Sequence, residues 1–190
     1  LCFRCLGVKA IDSWDEARHG ISAYEMLKNK QFLVNTYLGI PDYWNVKPPL
    51  SFLSVAAGFV LCGYNAVGLR FFSALFYLLT VIFTGLFARK YSRLASLLTM
   101  VFLCANYFPF KAHLARAGDA DSLYLLLFTL SMLCMLKVRD NGRWLYACGL
   151  FFSLAFLTKS FHAGMIAAVG GLFLLLTKEL FHQKPKRWII

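Results

Sequence analysis

Long stretches of this chain contain no charged residue, and this limits its fold more than any other feature of the sequence. Lys, Arg, Asp and Glu are absent from Phe71–Ala88, from Leu94–Phe110 and from residues 160–177, and two shorter uncharged runs cover Ser122–Leu136 and Trp144–Thr158. A membrane-spanning helix needs about 20 apolar residues, because each residue adds about 1.5 Å across a hydrocarbon core of about 30 Å. The flanking residues extend the two shorter runs into the headgroups. Five membrane spans are therefore predicted.

The composition excludes most soluble classes. Of the 190 residues, 59% are hydrophobic and only 15% are charged, whereas soluble domains carry about 25% charged residues. The net charge of +11 does not indicate a nucleic-acid partner, because the basic residues form short clusters between apolar runs and no continuous basic stripe. The sequence predicts an all-α polytopic membrane protein. The chain starts at Leu1 without a methionine, and we expect a piece of a longer protein, truncated at both ends.

The loops between the predicted spans differ in basic charge, which predicts their side of the membrane. Ten basic residues form three clusters that are two spans apart from one another: Arg89, Lys90 and Arg93; Lys137, Arg139 and Arg143; Lys178, Lys184, Lys186 and Arg187. The opposite loops hold only Lys111, Arg116 and Lys159. Because cytoplasmic loops are enriched in Lys and Arg, the clusters are expected in the cytoplasm and the other loops outside.

The chain divides into three predicted parts. Residues 1–49 are polar and predict an extracytoplasmic loop, in which Asp15–Lys28 forms an amphipathic helix with Ala17, Ile21, Tyr24 and Leu27 on one face. Residues 50–68 are uncharged and long enough to span. However, small and polar residues recur there at intervals of three and four, which favours a helix lying in the membrane interface. A membrane span is the alternative. Residues 69–190 form the five-span bundle.

Three polar clusters are candidates for chemistry. The first is Asp15-Glu16-Ala-Arg18-His19, the second is Asn45-Val46-Lys47-Pro48-Pro49, and the third runs from His113 through Arg116 and Asp119 to Asp121. Each has a simpler structural explanation: acids favour the first turn of a helix, prolines start helices, and loop charges are solvated. Carboxylates and cations together would serve base catalysis and phosphate binding. The clusters meet only if residues 50–68 do not cross the membrane.

The order of four motifs resembles glycosyltransferase family 39. The motifs are Asp15-Glu16-Ala-Arg18, Lys47-Pro48-Pro49-Leu50, Ala115-Arg116-Ala-Gly118-Asp-Ala-Asp121 and Leu157-Thr158-Lys159. This family includes bacterial aminoarabinose transferases that act on lipid A and the protein O-mannosyltransferases. The resemblance runs from about residue 10 to the end. It implies the N-terminal module of a GT-C-type membrane fold, with an extracytoplasmic first loop that carries surface helices.

The resemblance also implies a reaction and its residues. A sugar would move from a polyprenyl-monophosphate donor to an extracytoplasmic lipid, glycan or protein acceptor, with inversion. Asp15 would be the catalytic base, supported by Glu16, with Asp121 as a second loop acid. Lys47 would contact the carrier phosphate. Arg18, Arg116 and Lys159 are further candidates for binding substrate.

No cofactor and no metal are predicted. Cys2-Phe-Arg-Cys5 is a single pair without further ligands at zinc spacing. In the lipid A branch of the family, a glutamate associated with a metal precedes the lysine, but this chain has Val46 there. This difference argues against a metal and against lipid A as the acceptor.

Two other classes of function remain open alongside the enzyme: a polyprenyl-lipid transporter and a non-catalytic membrane scaffold. A transporter would place charges inside its spans, whereas these charges cluster in loops. By analogy with the lipid A branch, we expect a multi-pass protein of the bacterial inner membrane with its active site outside the cytoplasm.

Overall fold

The computed structural model describes residues 2–3, 6–12, 14–45, 47–111 and 114–177. Cys5, Val46, His113 and the third predicted basic cluster therefore lie outside the described residues. The helices are α1 (Asp15–Asn29), α2 (Pro49–Cys62), α3 (Ala66–Ala88), α4 (Arg93–Ala105), α5 (Phe108–Lys111), α6 (Asp121–Leu136), α7 (Trp144–Lys159) and α8 (Gly164–Leu176). A 3₁₀ turn, Ser160–Ala163, joins α7 to α8.

A short hairpin interrupts the otherwise helical fold between α1 and α2. Its strands are β1 (Thr36–Tyr37) and β2 (Ile40–Pro41), and they pair antiparallel with Tyr37 opposite Ile40. The turn residues Leu38 and Gly39 both have positive φ, at 56° and 78°, as a two-residue hairpin turn of this hand requires. This hairpin was not predicted from the sequence.

Helices α2 and α3 pack through glycines at their crossing. A Cβ atom on Gly58 of α2 would lie 2.1 Å from the carbonyl oxygen of Gly68 in α3. Between the two helices, Gly63 adopts a φ of 82°, which L side chains rarely adopt. The Asn65 side chain then caps α3 by accepting a hydrogen bond from the Gly68 N–H. The helical structure is thus interrupted between residues 62 and 66. At the crossing, the backbones of α2 and α3 lie so close that a side chain on either glycine would not fit.

The last three helices run back and forth beside one another. Ala155 late in α7 and Ile166 early in α8 pack in one apolar cluster with the start of α6. Cys148 early in α7 and Leu174 late in α8 pack in a second cluster with the end of α6. Helix α7 is therefore antiparallel to α6, and α8 is parallel to it. The reversal lies at the 3₁₀ turn, where Ser160 has a positive φ of 45°.

Apolar helices occupy all five predicted spans, but their lengths differ from the prediction. Among the residues that the structure describes, two helical stretches have the length and composition to cross a membrane, Ala66–Ala88 and Trp144–Leu176, and the second contains the reversal. Helices α4 and α6 have 13 and 16 residues, which is about 20 and 24 Å at 1.5 Å per residue. The predicted span Leu94–Phe110 is divided between α4 and α5. The helices are confirmed, and their crossing of the membrane stays a prediction.

Helix α1 occurs where it was predicted but buries a different face. Its buried residues are Glu16, His19, Ser22, Ala23 and Met26. Tyr24, on the predicted apolar face, is 43% exposed, and this face borders an open apolar groove with Phe59 and Leu69. The Glu16 and His19 side of the helix is buried because these residues contact polar partners on other segments, Arg70 and Asp119.

Candidate active site

Three segments that are far apart in sequence bring charged side chains into contact. Lys47 Nζ lies 3.0 Å from Oδ1 of Asp119 and 3.3 Å from Oδ1 of Asp15. Asp15 begins α1, Lys47 precedes α2, and Asp119 precedes α6. The Asp119 side chain is 4% exposed, whereas Asp15 is 39% exposed and Lys47 19%. The contact set therefore extends from the protein interior to an accessible surface.

Local structure holds Lys47 in this position. The residue before a proline is restricted to extended backbone, and a proline at the first position starts a helix without losing a hydrogen bond. Lys47 is the residue before Pro48, and Pro49 is the first residue of α2. The Lys47 N–H donates to Asn45 Oδ1, and the Lys47 carbonyl accepts from Asn35 Nδ2, each at 3.2 Å. The ammonium group is thus aimed at the two carboxylates from a fixed backbone.

Asp119 is ionised despite its burial. Burial alone would raise the pKa of its carboxyl group, but the charges of His19 and Lys47 and the hydrogen bonds from Lys47 and the Ala120 N–H hold that pKa below its ordinary value. The Ala120 N–H donates to Oδ1 over 2.6 Å. A buried carboxylate is stable only when it is paired in this way. Asp119 therefore provides a fixed negative charge beside Lys47.

Glu16 lies deeper and is fully engaged. Arg70 of α3 donates to both of its carboxylate oxygens, at 2.6 and 2.8 Å. The N–H groups of Asp12 and Gly118 each donate to it at 2.9 Å, and the Glu16 and Arg70 side chains are each 1% exposed. Burial would raise the pKa of Glu16, but the Arg70 hydrogen bond and the two backbone donors lower it overall. Each carboxylate oxygen therefore already has two donors.

Arg70 connects Glu16 to the N-terminal segment. Its NH1 and NH2 groups also donate to the carbonyl oxygens of Leu6, Lys9 and Ala10, at 2.7 to 2.9 Å. The buried Arg70 guanidinium thus links α3 to α1 and to the segment before α1. Glu16 in turn links α1 to the loop before α6, because it accepts a hydrogen bond from the Gly118 N–H. Arg70 was not predicted as a site residue, because it stands alone between two apolar runs.

Arg18 holds the hairpin against α1. Its Nε donates to Asp42 Oδ2 over 2.8 Å, and its NH2 group donates to Oδ1 of the same carboxylate. The guanidinium also lies 5.3 Å from the centre of the Tyr37 ring. Hydrogen bonds from Arg18 lower the pKa of Asp42. Asp42 and Lys47 line the same cavity of about 360 Å³, so Arg18 fixes one wall of a space that Lys47 also borders.

The other predicted residues lie in two further places. Asp121, the first residue of α6, pairs with Lys159, the last residue of α7. Arg116 lies over the Phe110 ring, 5.3 Å from its centre, and lines a cavity of about 580 Å³ together with Lys9. Among the described residues, Asp121 pairs with Lys159 and not with Lys47. The loop acid that contacts Lys47 is Asp119, two residues before the predicted Asp121.

His19 and Asp119 were not predicted as site residues. Both stand inside the predicted polar clusters, and this position was the only sequence signal for them. His19 Nε2 lies 3.7 Å from Asp119 Oδ1, and its ring stacks on Phe52 with centroids 4.4 Å apart. Within the described ranges, no group of three or more His, Cys, Asp or Glu residues is arranged to hold a metal ion.

Comparison with known proteins identifies the family. The sequence model described as dolichyl-phosphate-mannose-protein mannosyltransferase matches residues 46–190. The chain belongs to this mannosyltransferase family. The match includes Lys47, Asp119 and Asp121, while Asp15, Glu16 and Arg18 lie before it. The predicted resemblance to lipid-carrier-dependent glycosyltransferases is thereby confirmed.

Relatives of this mannosyltransferase-family chain share its fold over most of its length. ArnT from Cupriavidus metallidurans matches in its apo state with a TM-score of 0.81 and 22% identity, over 93% of this chain and 34% of that one. Its structure bound to undecaprenyl phosphate matches with a TM-score of 0.78 and 20% identity, over 94% and 34%. These matches confirm the predicted all-α GT-C-type membrane fold.

A protein of Aquifex aeolicus (strain VF5), described as uncharacterized, is 32% identical over 192 residues. The match covers 97% of this chain but only 38% of that relative. The mannosyltransferase-family chain thus spans about a third of the length of the relatives it matches.

Proposed function

We propose that the full-length protein transfers a sugar from a polyprenyl-monophosphate donor to an acceptor outside the cytoplasm, with inversion at the anomeric carbon. The observation that carries this proposal is the convergence of Asp15, Lys47 and Asp119 from three separate segments. Membership of the mannosyltransferase family and the shared fold of an ArnT structure bound to undecaprenyl phosphate support a polyprenyl-phosphate donor. The acceptor is a lipid, a glycan or a protein.

The residues match the charge changes of this reaction. The acceptor oxygen forms a bond to the anomeric carbon, while the bond from that carbon to the phosphate oxygen breaks. The acceptor proton passes to the Asp15 carboxylate, which is the accessible acid of the cluster. The polyprenyl phosphate departs with an additional negative charge, and the Lys47 ammonium stabilises this charge. Asp119 holds Lys47 in position from its buried side.

The contact between Asp15 and Lys47 has to open during the reaction. In an inverting transfer, the attacking oxygen and the leaving phosphate stand on opposite faces of the sugar. A base and a cation that serve these two atoms cannot keep a contact of 3.3 Å while the sugar lies between them. Donor binding thus exchanges the Asp15 carboxylate for the donor phosphate as a partner of Lys47, whereas Asp119 remains.

The surrounding charges have supporting roles. Glu16 is buried and saturated with donors, so we assign it to the framework and not to proton transfer. Arg18 is assigned to the wall of the cavity beside Lys47. The pairing of Asp121 with Lys159 supports a role in joining α6 to α7 close to the site. Arg116 is assigned to the binding of a substrate anion in the cavity that it lines.

The geometry also supports the predicted sidedness. Residues of α1, the segment before α2 and the loop before α6 touch one another, so these segments lie on the same side of the membrane. Lys47, before α2, contacts Asp15, and Arg70, in the first turns of α3, contacts Glu16, so the segments at both ends of α2 meet α1. We therefore propose that α2 lies in the interface and that the basic loops face the cytoplasm of a bacterial cell.

The proposal is tested with the Asp15→Asn variant of the full-length protein in membranes. A labelled polyprenyl-phosphate sugar is supplied at matched expression, and loss of label from the lipid is followed. We expect the variant to lose at least about 100-fold in transfer rate, the size of a typical base contribution. The control is Asp140→Asn, because Asp140 is exposed in the basic loop between α6 and α7, and it should keep the wild-type rate.

Two outcomes would contradict the proposal. Equal donor consumption by the wild type and by Asp15→Asn would show that Asp15 is not the base. No consumption by the wild type with any sugar would favour the transporter or scaffold alternatives.

A further inference from the structure

His19 is buried, and its two ring nitrogens have very different surroundings. Its side chain is 1% exposed, and its ring stacks on Phe52 with an interplanar angle of 13°. Nδ1 lies 2.9 Å from the main-chain oxygen of Asp15. Because a carbonyl oxygen only accepts, Nδ1 carries the proton in this contact. Nε2 has no hydrogen-bond partner among the described residues, and it faces Asp119 Oδ1 at 3.7 Å.

This arrangement places two acceptors opposite each other. When the ring is neutral with its proton on Nδ1, the Nε2 lone pair points toward a carboxylate oxygen that Lys47 Nζ also contacts. A proton on Nε2 would attract Asp119 Oδ1, and a small approach from the present 3.7 Å would form a charge-assisted hydrogen bond. Protonated His19 and Lys47 would then share the same carboxylate oxygen. The charge of His19 therefore acts directly on the strength of the contact between Asp119 and Lys47.

Among the described residues, the charged groups that face His19 come from three segments. Asp15 lies on its own helix, Lys47 precedes α2, and Asp119 precedes α6; α2 itself contributes the uncharged Phe52. Burial lowers the pKa of His19 and Lys47 lowers it further, whereas the charges of Asp119 and Asp15 raise it. His19 is thus neutral near pH 7 and becomes protonated only at lower pH.

We propose that His19 is a positioning residue that controls, through Asp119, how readily Lys47 accepts the phosphate of the donor. Neutral His19 leaves the Asp119 carboxylate to Lys47, which is then held by protein carboxylates. Protonated His19 takes a share of Asp119 and loosens Lys47, so the ammonium becomes available to the phosphate. Donor affinity should rise as the pH falls. This inference rests on the proposed function of Lys47 and deepens it by assigning a pH-dependent control.

The kinetic test compares three forms of the full-length protein between about pH 5 and 8. In the wild type, KM for a polyprenyl-phosphate sugar should fall by about tenfold toward acid pH, since hydrogen bonds to charged groups are of this order. His19→Phe keeps the stacking on Phe52 but has no proton to gain, so its KM should stay high and independent of pH. His162→Gln removes an exposed histidine outside the cluster and should keep the wild-type profile.

A second measurement follows the titration of His19 without using activity. Hydrogen–deuterium exchange at the imidazole C2 position, read by mass spectrometry, reports the protonation of each histidine separately. Asp119→Asn removes the charge that favours protonation and should shift the His19 titration to lower pH. Lys47→Gln removes a repelling charge and should shift it to higher pH. A His19 that is not coupled to Asp119 and Lys47 would show neither shift.

The outcomes separate this inference from the proposed function. Transfer whose KM depends on pH equally in the wild type and in His19→Phe would overturn the role of His19 and leave the function intact. A His19 titration that is unchanged in both Asp119→Asn and Lys47→Gln would also overturn the role of His19. Absence of transfer at every pH, with the titration shifts present, would overturn the proposed function and with it the consequence of the coupling for donor binding.

Discussion

Asp15 and Glu16 are adjacent in sequence, yet their carboxylates have opposite surroundings. Asp15 is 39% exposed and shares Lys47 with Asp119, whereas Glu16 is 1% exposed and bound by Arg70. Successive residues of a helix point about 100° apart, so one acid faces the cavity side and the other faces α3. The sequence motif contains both acids and does not distinguish their roles. Their burial separates a group available for chemistry from a group that holds the fold.

Glu16→Gln should destabilise the protein by about 3 kcal/mol, because removing one partner of a buried ion pair leaves the other charge uncompensated. The pKa of Glu16 is lowered in the folded state, so its contribution is present above about pH 4.5 and is lost as the pH falls below that value. Thermal unfolding in detergent at several pH values measures both effects. The variant should melt lower at pH 7 and lose less stability than the wild type on acidification.

Glu25→Gln is the matched control for this change. The Glu25 carboxylate accepts a hydrogen bond from the Gly39 N–H in an exposed contact, and such surface changes usually stay within about 0.5 kcal/mol. If Glu16→Gln melted like Glu25→Gln at pH 7, the framework role of the Glu16–Arg70 pair would be wrong.

At the level of elements, the position of the site depends on the close crossing of α2 and α3. Lys47 directly precedes α2, and Arg70 lies in the first turns of α3. The glycine contacts between these helices thus set the distance between the Lys47 side and the Glu16–Arg70 side of the site. Gly118 adds a third close approach, because a Cβ there would lie 2.6 Å from side-chain carbons of Leu69.

Gly58→Ala should reduce stability by about 1–3 kcal/mol, the usual cost of overpacking. Its Cβ would lie 2.1 Å from a backbone oxygen, and backbone yields less easily than a flexible side chain. The transfer rate should fall as well, because α2 carries the Lys47 segment. Gly171→Ala in α8 is the control, since nothing lies within 4 Å of its Cβ. A Gly58→Ala protein with wild-type melting and transfer would refute the role of this crossing.

The sequence predicts the helices well and the site incompletely. Charge-free runs locate α3, α6, α7 and α8, because a charge in the hydrocarbon is costly in any context. The apolar spacing of Ala17, Ile21 and Tyr24 predicts an amphipathic helix, but the most buried side of α1 is that of Glu16 and His19. Hydrophobic periodicity describes neighbouring residues only, so it does not reveal the ion pair of Glu16 with Arg70, 54 positions away. For the same reason, the motif alone favoured Asp121, whereas the loop conformation brings Asp119 to Lys47.

At the scale of the whole molecule, one side of the helical bundle carries the site and the other carries the basic loops. The segment before α2, α1 and the loop before α6 meet at one end of α3, and the Arg89–Arg93 loop follows its other end. A helix of 23 residues, about 35 Å, separates these ends. This distance matches a bilayer and supports opposite sides for the site and for the basic loops.

Cysteine labelling in intact bacterial cells tests this sidedness. In a variant without native cysteines, Tyr43→Cys should react with a membrane-impermeant maleimide from outside, since Tyr43 is 88% exposed beside the Lys47 cavity. Arg139→Cys should react only after the cells are permeabilised. Labelling of both positions only after permeabilisation would show that the site faces the cytoplasm and that α2 does not have the proposed interfacial position.

The central claim is that Asp15 and Lys47 act on one reaction in one site. It is tested most directly by comparing donor consumption in Asp15→Asn, Lys47→Gln and the double variant at matched expression. Residues that act as a unit have strongly non-additive effects. Each single change should abolish most of the transfer, and the double variant should be no slower than the slower single variant. Independent losses that multiply in the double variant would contradict this claim.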